Sequence, residues 1–205
     1  MGMSRLQIRE VELEQSRPIL RTLHGSHLYG LAHTESDTDT YEVVLECSKN
    51  FAWNRNEDED ANHIHLSRFQ QAVENGAPQA LEALFSPVAE IEPGWEAFFA
   101  GLRPGIDNAR PTYRRTIRNF GFGNGGRIGS AAERTDPVKL RRHALRLIYN
   151  LDDLVRRGRF NPRLAPSDAW VISANAEMGS TPRFDFHDMI ERSLERALLG
   201  RFRTG

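Results

Sequence analysis

Two aspartates one residue apart, Asp37 and Asp39, stand between segments that read as strands, and the rest of the chain is read against them. Pro18 to Leu23 is an apolar run suited to a short buried strand, and it breaks at Gly25-Ser26. A short helical piece, His27 to Ala32, follows with Leu28, Leu31 and Ala32 at helical spacing. Thr38 to Glu46 then reads as a second strand, with Tyr41, Val43 and Leu45 alternating with polar positions. Alternate residues of a strand share a face, so Asp37 and Asp39 are expected side by side. Neighbouring carboxylates repel unless something positive lies between them, and a hard divalent cation bound by oxygen ligands is the usual answer.

The preceding turn suits the same chemistry. Gly25 lets the backbone turn sharply or approach a ligand closely. Ser26 offers a hydroxyl and backbone amides to a phosphate at a helix start. A phosphate cradle beside a metal pair is the equipment for phosphoryl or nucleotidyl transfer, where catalysis is mostly positioning and charge neutralisation. On spacing alone a solvated turn explains the same residues, because Gly-Ser and Asp-x-Asp are both common.

A resemblance favours the chemical alternative. Gly25-Ser26, Tyr29-Gly30-Leu31, Ser36-Asp37-x-Asp39 and Val43 together resemble the signature of the DNA polymerase beta superfamily of nucleotidyltransferases. Within it the likeness is to the small RNA-ligase-associated, polymerase-beta-like group implicated in RNA repair. His65 to Phe69, then Gly76-x-Pro78-x-x-Leu81-Glu82-x-Leu84-Phe85, is similar to that group's second block, and Lys139 to Leu147 to its third. The resemblance implies an α/β (α+β) fold: a polymerase-beta-like core with a small mixed sheet, then a helical C-terminal lobe. It implies Mg²⁺ or Mn²⁺ at Asp37 and Asp39, a nucleoside triphosphate as substrate, and an RNA or DNA end as acceptor. It also implies a third carboxylate on a neighbouring strand, acting on the acceptor hydroxyl. Counted back from the Leu66-x-x-Phe69 block, that position falls on Asp60, and the alternative is that Asp60 belongs to a solvated acidic loop.

Composition limits the partners. The chain has 205 residues and a formal net charge of −1, so no global basic field would draw in a nucleic acid and a local patch must do so. Nearly all the positive charge is arginine, Lys49 and Lys139 being the only lysines. A single cysteine, Cys47, excludes an intramolecular disulfide framework and a cysteine-rich zinc site. No apolar run approaches the ~20 residues needed to span a bilayer and no signal peptide is evident, so a cytoplasmic protein without membrane contact is expected.

Along the chain, Leu6 to Ser16 reads as a helix, Glu57-Asp58-Glu59-Asp60 as part of a solvated loop, and Ala61 to Leu66 as a third strand. Leu66 to Asn75 is helical and ends at Gly76, and Ala80 to Phe85 is a helix or a strand. Pro104 and Pro111 bracket a connection, Thr112 to Phe120 is a basic helix, and Gly121 to Gly126 is either a loop or helical. Pro137 to Arg157 carries the strongest helical periodicity, through Leu140, Ala144, Leu147, Ile148, Leu151 and Leu154. Arg163 to Asn175 is mixed, and Asp185 to Phe202 is a final amphipathic helix. The expected organisation is a catalytic lobe over residues 1–91 and a helical lobe over 92–205, with the nucleotide and acceptor cleft between them.

The other candidates lie in the second half. Lys139, His143 and Arg146 form one basic stripe on the strongest helix. Spacing alone makes it a solvated face, whereas the resemblance turns it towards the triphosphate. Arg114, Arg115 and Arg118 form a second cluster suited to a polynucleotide backbone. Glu82, in an apolar stretch, is expected to be buried and paired. His63 and His65 would share a strand face, but structural zinc needs four ligands. The expected activity is metal-dependent transfer of a nucleoside monophosphate to an acceptor hydroxyl with release of pyrophosphate. The alternatives are a non-catalytic nucleotide- or nucleic-acid-binding protein on the same fold and a toxin-like nucleotidyltransferase acting on protein or tRNA.

Overall fold

Alternation in the first two strands decides which face of the sheet is covered. In β1 (Pro18–His24), Leu20, Thr22 and His24 fall on one face, and in β2 (Asp39–Val44), Asp39, Tyr41 and Val43 do so. The antiparallel register pairs Leu20 with Val43, Thr22 with Tyr41 and His24 with Asp39. The computed structural model describes residues 17–32, 34, 36–45, 53–56, 59–121, 136–181 and 184–203, and for 53–56 and 59–61 the backbone only. The helix expected over Leu6–Ser16, Cys47, Lys49 and the glycine-rich stretch 122–126 lie outside these residues.

Three further strands complete a mixed sheet. β3 (Trp53–Asn56) pairs antiparallel with β4 (Glu59–His65), β4 runs parallel to β2, and β5 (Glu90–Ile91) closes the far edge beside β1. The strand order is β3-β4-β2-β1-β5. The acidic stretch that reads as solvated loop thus contributes Glu59 and Asp60 to a strand, because the sheet supplies backbone partners that local composition does not show. On the other face of the sheet, Glu42 joins neighbouring strands: Arg21 Nε lies 3.1 Å from one of its oxygens and His63 Nδ1 2.9 Å from the other. The His63 hydrogen bond holds the Glu42 carboxyl below the usual range. His65 instead caps the following helix, its Nδ1 accepting from Ser67 N at 3.2 Å. The two histidines are therefore occupied separately.

Helices supply the remainder. α1 (Gly25–Tyr29) is a single turn, α2 spans Leu66–Glu74, α3 Pro78–Leu84 and α4 Glu96–Gly101. α5 runs over Ile106–Gly121 and includes Pro111, where local preference alone places the end of a connection. The ring costs the helix one N–H donor; full burial of Ala109, Tyr113 and Ile117 offsets that loss. α6 (Pro137–Arg157) starts where Asp136 accepts a 2.8 Å hydrogen bond from Val138 N and stops at Gly158, whose φ is 71°. α7 (Pro166–Met178) and α8 (Phe186–Leu198) pack against α6.

One apolar core connects sheet and helices. Tyr41 and Val43 from the sheet join Phe69, Tyr113, Leu147, Ile148, Leu151, Ile172, Ile190 and Leu194 from the helices, all buried in the same cluster. The architecture is α+β, with a small mixed sheet followed by helices. Among the described residues, no helix is long and apolar enough to cross a membrane.

Candidate active site

Where β1 ends and β2 begins, antiparallel pairing sets His24 beside Asp39. The parallel pairing of β2 with β4 sets Asp60 at the position across from Asp39 on the other side. The three positions form one row across the sheet, and His24 and Asp39 of them line a cleft of about 730 Å³. Asp37 also lines the cleft but lies before the first residue of β2 and is exposed, so the shared strand face expected for the two aspartates is not formed. What brings them together is the cleft wall rather than strand alternation.

Gly25 is fitted to Asp39. Its φ of 67° is left-handed, and a Cβ added there would stand 2.5 Å from Asp39 Oδ2. The turn and the carboxylate therefore occupy adjoining space that no larger residue leaves open. Ser26 follows on the same wall. Because α1 is only five residues long, it supplies little macrodipole. Any anion seated here relies on close backbone approach and the Ser26 hydroxyl. His27 closes the segment, its Nε2 lying 3.0 Å from the Ser36 carbonyl.

The opposite wall is helical. α5 contributes Phe120, and α6 contributes Lys139, Arg142, His143 and Arg146. Sequence spacing makes Lys139, His143 and Arg146 a stripe of cations, and the structure separates them. Lys139 is exposed and, among the described residues, makes no ion pair. His143 is half-buried and is held neutral: burial first, then Arg146 and Lys139, push its pKa down to about 3. Arg146 is buried and bonded to Glu82 through Nη1, and its guanidinium lies over the Tyr29 ring at 3.6 Å. Its charge is therefore compensated inside the protein. Arg142 lines the cleft beside Lys139, with Glu177 3.3 Å from its Nη2.

Beneath this wall lies a polar knot. Glu82, buried as its apolar setting suggests, accepts from Tyr29 Oη at 2.6 Å, from Arg146 and from Asn150 Nδ2 at 3.5 Å. Burial raises the Tyr29 phenol well above its ordinary range, so it stays protonated as a donor. Removing one partner of a buried pair of this kind commonly costs about 3–5 kcal/mol, because the other charge stays buried alone. The knot joins α1, α3 and α6. Burial likewise pushes the His24 pKa down.

The second arginine cluster has a different environment from the one expected. Arg118 makes a two-pronged bond to Glu191, at 2.8 and 2.7 Å, and Arg114 bonds Glu195, both partners lying on α8. The Arg118 bond holds the Glu191 carboxyl below its usual range. Only Arg115 of the three has no such partner among the described residues, and it is exposed. Two of the three cations thus fasten α5 to α8.

Asp37, Asp39, Gly25, Ser26, Lys139, His143 and Arg146 all line one cleft, and Asp60 is a register position from it. Sequence reasoning misses Arg142, although it sits three residues after Lys139 on the same helix. Among the described residues, no three His, Cys, Asp or Glu side chains gather as a metal-binding group. The side chain at Asp60 is outside the description, so the donor set here is the carboxylates of Asp37 and Asp39.

No family model matches the chain, and no curated protein does. Among solved structures, a nucleotidyltransferase-like protein from Exiguobacterium sibiricum aligns over 98% of this chain and 73% of its own, at 13% identity and a TM-score of 0.34. A score of that size carries no argument about activity.

Proposed function

We propose that the chain is a metal-dependent nucleotidyltransferase, taking a nucleoside triphosphate and an acceptor hydroxyl. The observation that carries this is the two-walled cleft: a carboxylate wall with a glycine fitted against Asp39, facing a wall that offers Lys139 and Arg142. The carboxylates are all-oxygen donors, which fits Mg²⁺ or Mn²⁺. Asp37 and Asp39 would hold the ion, with Asp60 as the third carboxylate. When bound, such an ion supplies charge neutralisation on the phosphates and a lowered pKa for the acceptor hydroxyl.

The residues of the chain do the remainder. Gly25 and Ser26 let phosphate oxygens approach the backbone, and Lys139 and Arg142 neutralise the chain of phosphates from the far side. Asp60 takes the proton of the acceptor hydroxyl, whose oxygen forms a bond to the α-phosphorus. The bond from that phosphorus to the bridging oxygen breaks, and pyrophosphate leaves. The Glu82–Arg146–Tyr29 knot fixes α6 against the Gly-Ser turn, which keeps both walls in register. Preorganised charge of this kind is the main contribution a protein can make to phosphoryl chemistry. An RNA or DNA end remains the proposed acceptor, on the resemblance of the sequence motifs.

The test is incubation with each labelled triphosphate, Mg²⁺ and RNA, DNA and protein acceptors. Label should pass to one acceptor class with the parent chain and fall to background with Asp37→Asn plus Asp39→Asn. Calorimetry should show Mg²⁺ uptake in the presence of nucleotide that the double variant lacks. Full transfer by the double variant would refute the mechanism. Nucleotide binding without transfer by the parent would instead make the chain a binding protein.

A further inference from the structure

The helical wall changes character along its length. Lys139 and Arg142 stand on the first turns of α6 and are cationic, Lys139 with no ion pair among the described residues and Arg142 with the partly exposed Glu177 3.3 Å from its Nη2. Next to Arg142 and one turn after Lys139, His143 packs on Phe120 of α5 with ring centroids 5.5 Å apart and planes 33° from each other. Tyr29 and the same imidazole meet edge to face, with centroids 6.2 Å apart and planes at 89°. Beyond it, the charge of Arg146 is already matched by Glu82. The middle of the wall therefore presents flat rings without net charge, between cations on one side and a compensated ion pair on the other.

We infer that Phe120 and His143 form the seat for the nucleobase, while Lys139 and Arg142 receive the phosphates. The assignment rests on the nucleotidyltransferase reading of the cleft. Two observations support it. Phe120 and His143 both line the cleft, each half-buried, so part of each ring faces it. The imidazole is neutral over the physiological range, being pushed down to about 3, which makes it a poor phosphate ligand. It remains a flat group able to stack and to donate or accept one hydrogen bond. Every base has a π-face, and stacking a base on a protein ring commonly contributes about 1–3 kcal/mol, an effect tolerant of base identity. Triphosphates of all bases should then bind, with preference left to finer contacts.

Calorimetry with separate halves of the nucleotide tests this. The probes are adenosine, inorganic tripolyphosphate with Mg²⁺, and ATP with Mg²⁺. The variants are Phe120→Leu, which keeps apolar volume and loses the ring, Phe120→Trp, which keeps a ring, and Lys139→Ala. Phe120→Leu should weaken adenosine and ATP by about tenfold, a loss within the stacking range, and leave tripolyphosphate unchanged. Phe120→Trp should bind adenosine as tightly as the parent or more so. Lys139→Ala should show the converse pattern, with tripolyphosphate and ATP weakened and adenosine kept. Thermal melting of each variant separates lost binding from lost folding. If Phe120→Leu leaves adenosine unaffected, or lowers tripolyphosphate equally, the base seat is refuted. If the parent binds tripolyphosphate but no nucleoside, the seat is refuted and the phosphate reading stands. If the parent binds neither half nor ATP, the nucleotidyltransferase reading fails and takes the seat with it.

Discussion

His143 shows how a residue's chemistry is decided by its setting. On α6 it recurs with Lys139 and Arg146 and reads as the middle cation of three. Packed between Phe120 and Tyr29 and beside Arg146, it cannot take a proton at ordinary pH. That has a consequence for stability. The folded-state value of about 3 lies below the ordinary 6.5, so between those limits the unfolded chain carries a proton at this site that the folded chain does not. Stability from this group is complete above about 6.5, falls with pH through that window, and levels off below about 3. The slope for one such group is at most about 1.4 kcal/mol per pH unit. His24, also lowered by burial, acts in the same direction. His143→Gln should therefore lose stability less steeply than the parent when urea midpoints are compared at pH ~6 and ~4. Equal slopes for parent and variant would mean that His143 is accessible and titrates normally.

Among the elements, the Gly25 turn carries the sharpest test. Gly25 and Gly158 have nearly the same left-handed φ, 67° and 71°, but Gly158 has nothing within 4 Å of an added Cβ, while at Gly25 the Asp39 carboxylate is 2.5 Å away. Gly158→Ala should cost about 1–2 kcal/mol of conformational strain and leave nucleotidyl transfer untouched. Gly25→Ala should cost more than that and abolish transfer, since Asp39 must move. Urea denaturation and the transfer assay read the two effects separately, and equal activity in both variants would make the turn merely structural. The same scale explains what the sequence does and does not disclose. β1, α6 and α8 are legible because each has one buried face, and periodicity records burial on one side. β5 has two residues and no period to detect. α7 has exposed Trp170, Val171 and Met178 as well as buried Ile172 and Ala176, so its apolar residues mark no single stripe. Pro111 suggests a boundary because local preference cannot register the burial of Tyr113 and Ile117 that holds α5 together. Partners are least legible: Arg146 meets Glu82 across 64 residues, and Arg118 meets Glu191 across 73.

For the whole molecule, charge distribution bears on the acceptor. The net charge is −1, and two of the α5 arginines that suggest a polynucleotide track are paired with α8. Both pairs are partly exposed, so each contributes little stability, in the range of about 0–1 kcal/mol, but each lowers the charge available to a phosphate backbone. A polynucleotide releases counterions as its phosphates are neutralised, and the log-log dependence of affinity on salt steepens by roughly one unit per contact. With few unpaired cations on the described cleft walls, binding of an RNA oligonucleotide should show a slope of only ~1–2. Arg114→Ala with Arg118→Ala should leave that slope unchanged and lower the melting temperature slightly, by loosening α5 from α8. Lys139→Ala should raise the KM for triphosphate while hardly altering RNA affinity, because its position on the cleft wall suits a compact polyanion. The measurements are fluorescence anisotropy of labelled RNA over a salt series and initial rates over a triphosphate series. A steep slope of ~5 or more, flattened by the double arginine substitution, would show that the α8 glutamates give way to RNA and that α5 is the acceptor track after all. A shallow slope that no substitution alters would direct the search for an acceptor towards protein hydroxyls and small molecules, which need no extended basic surface.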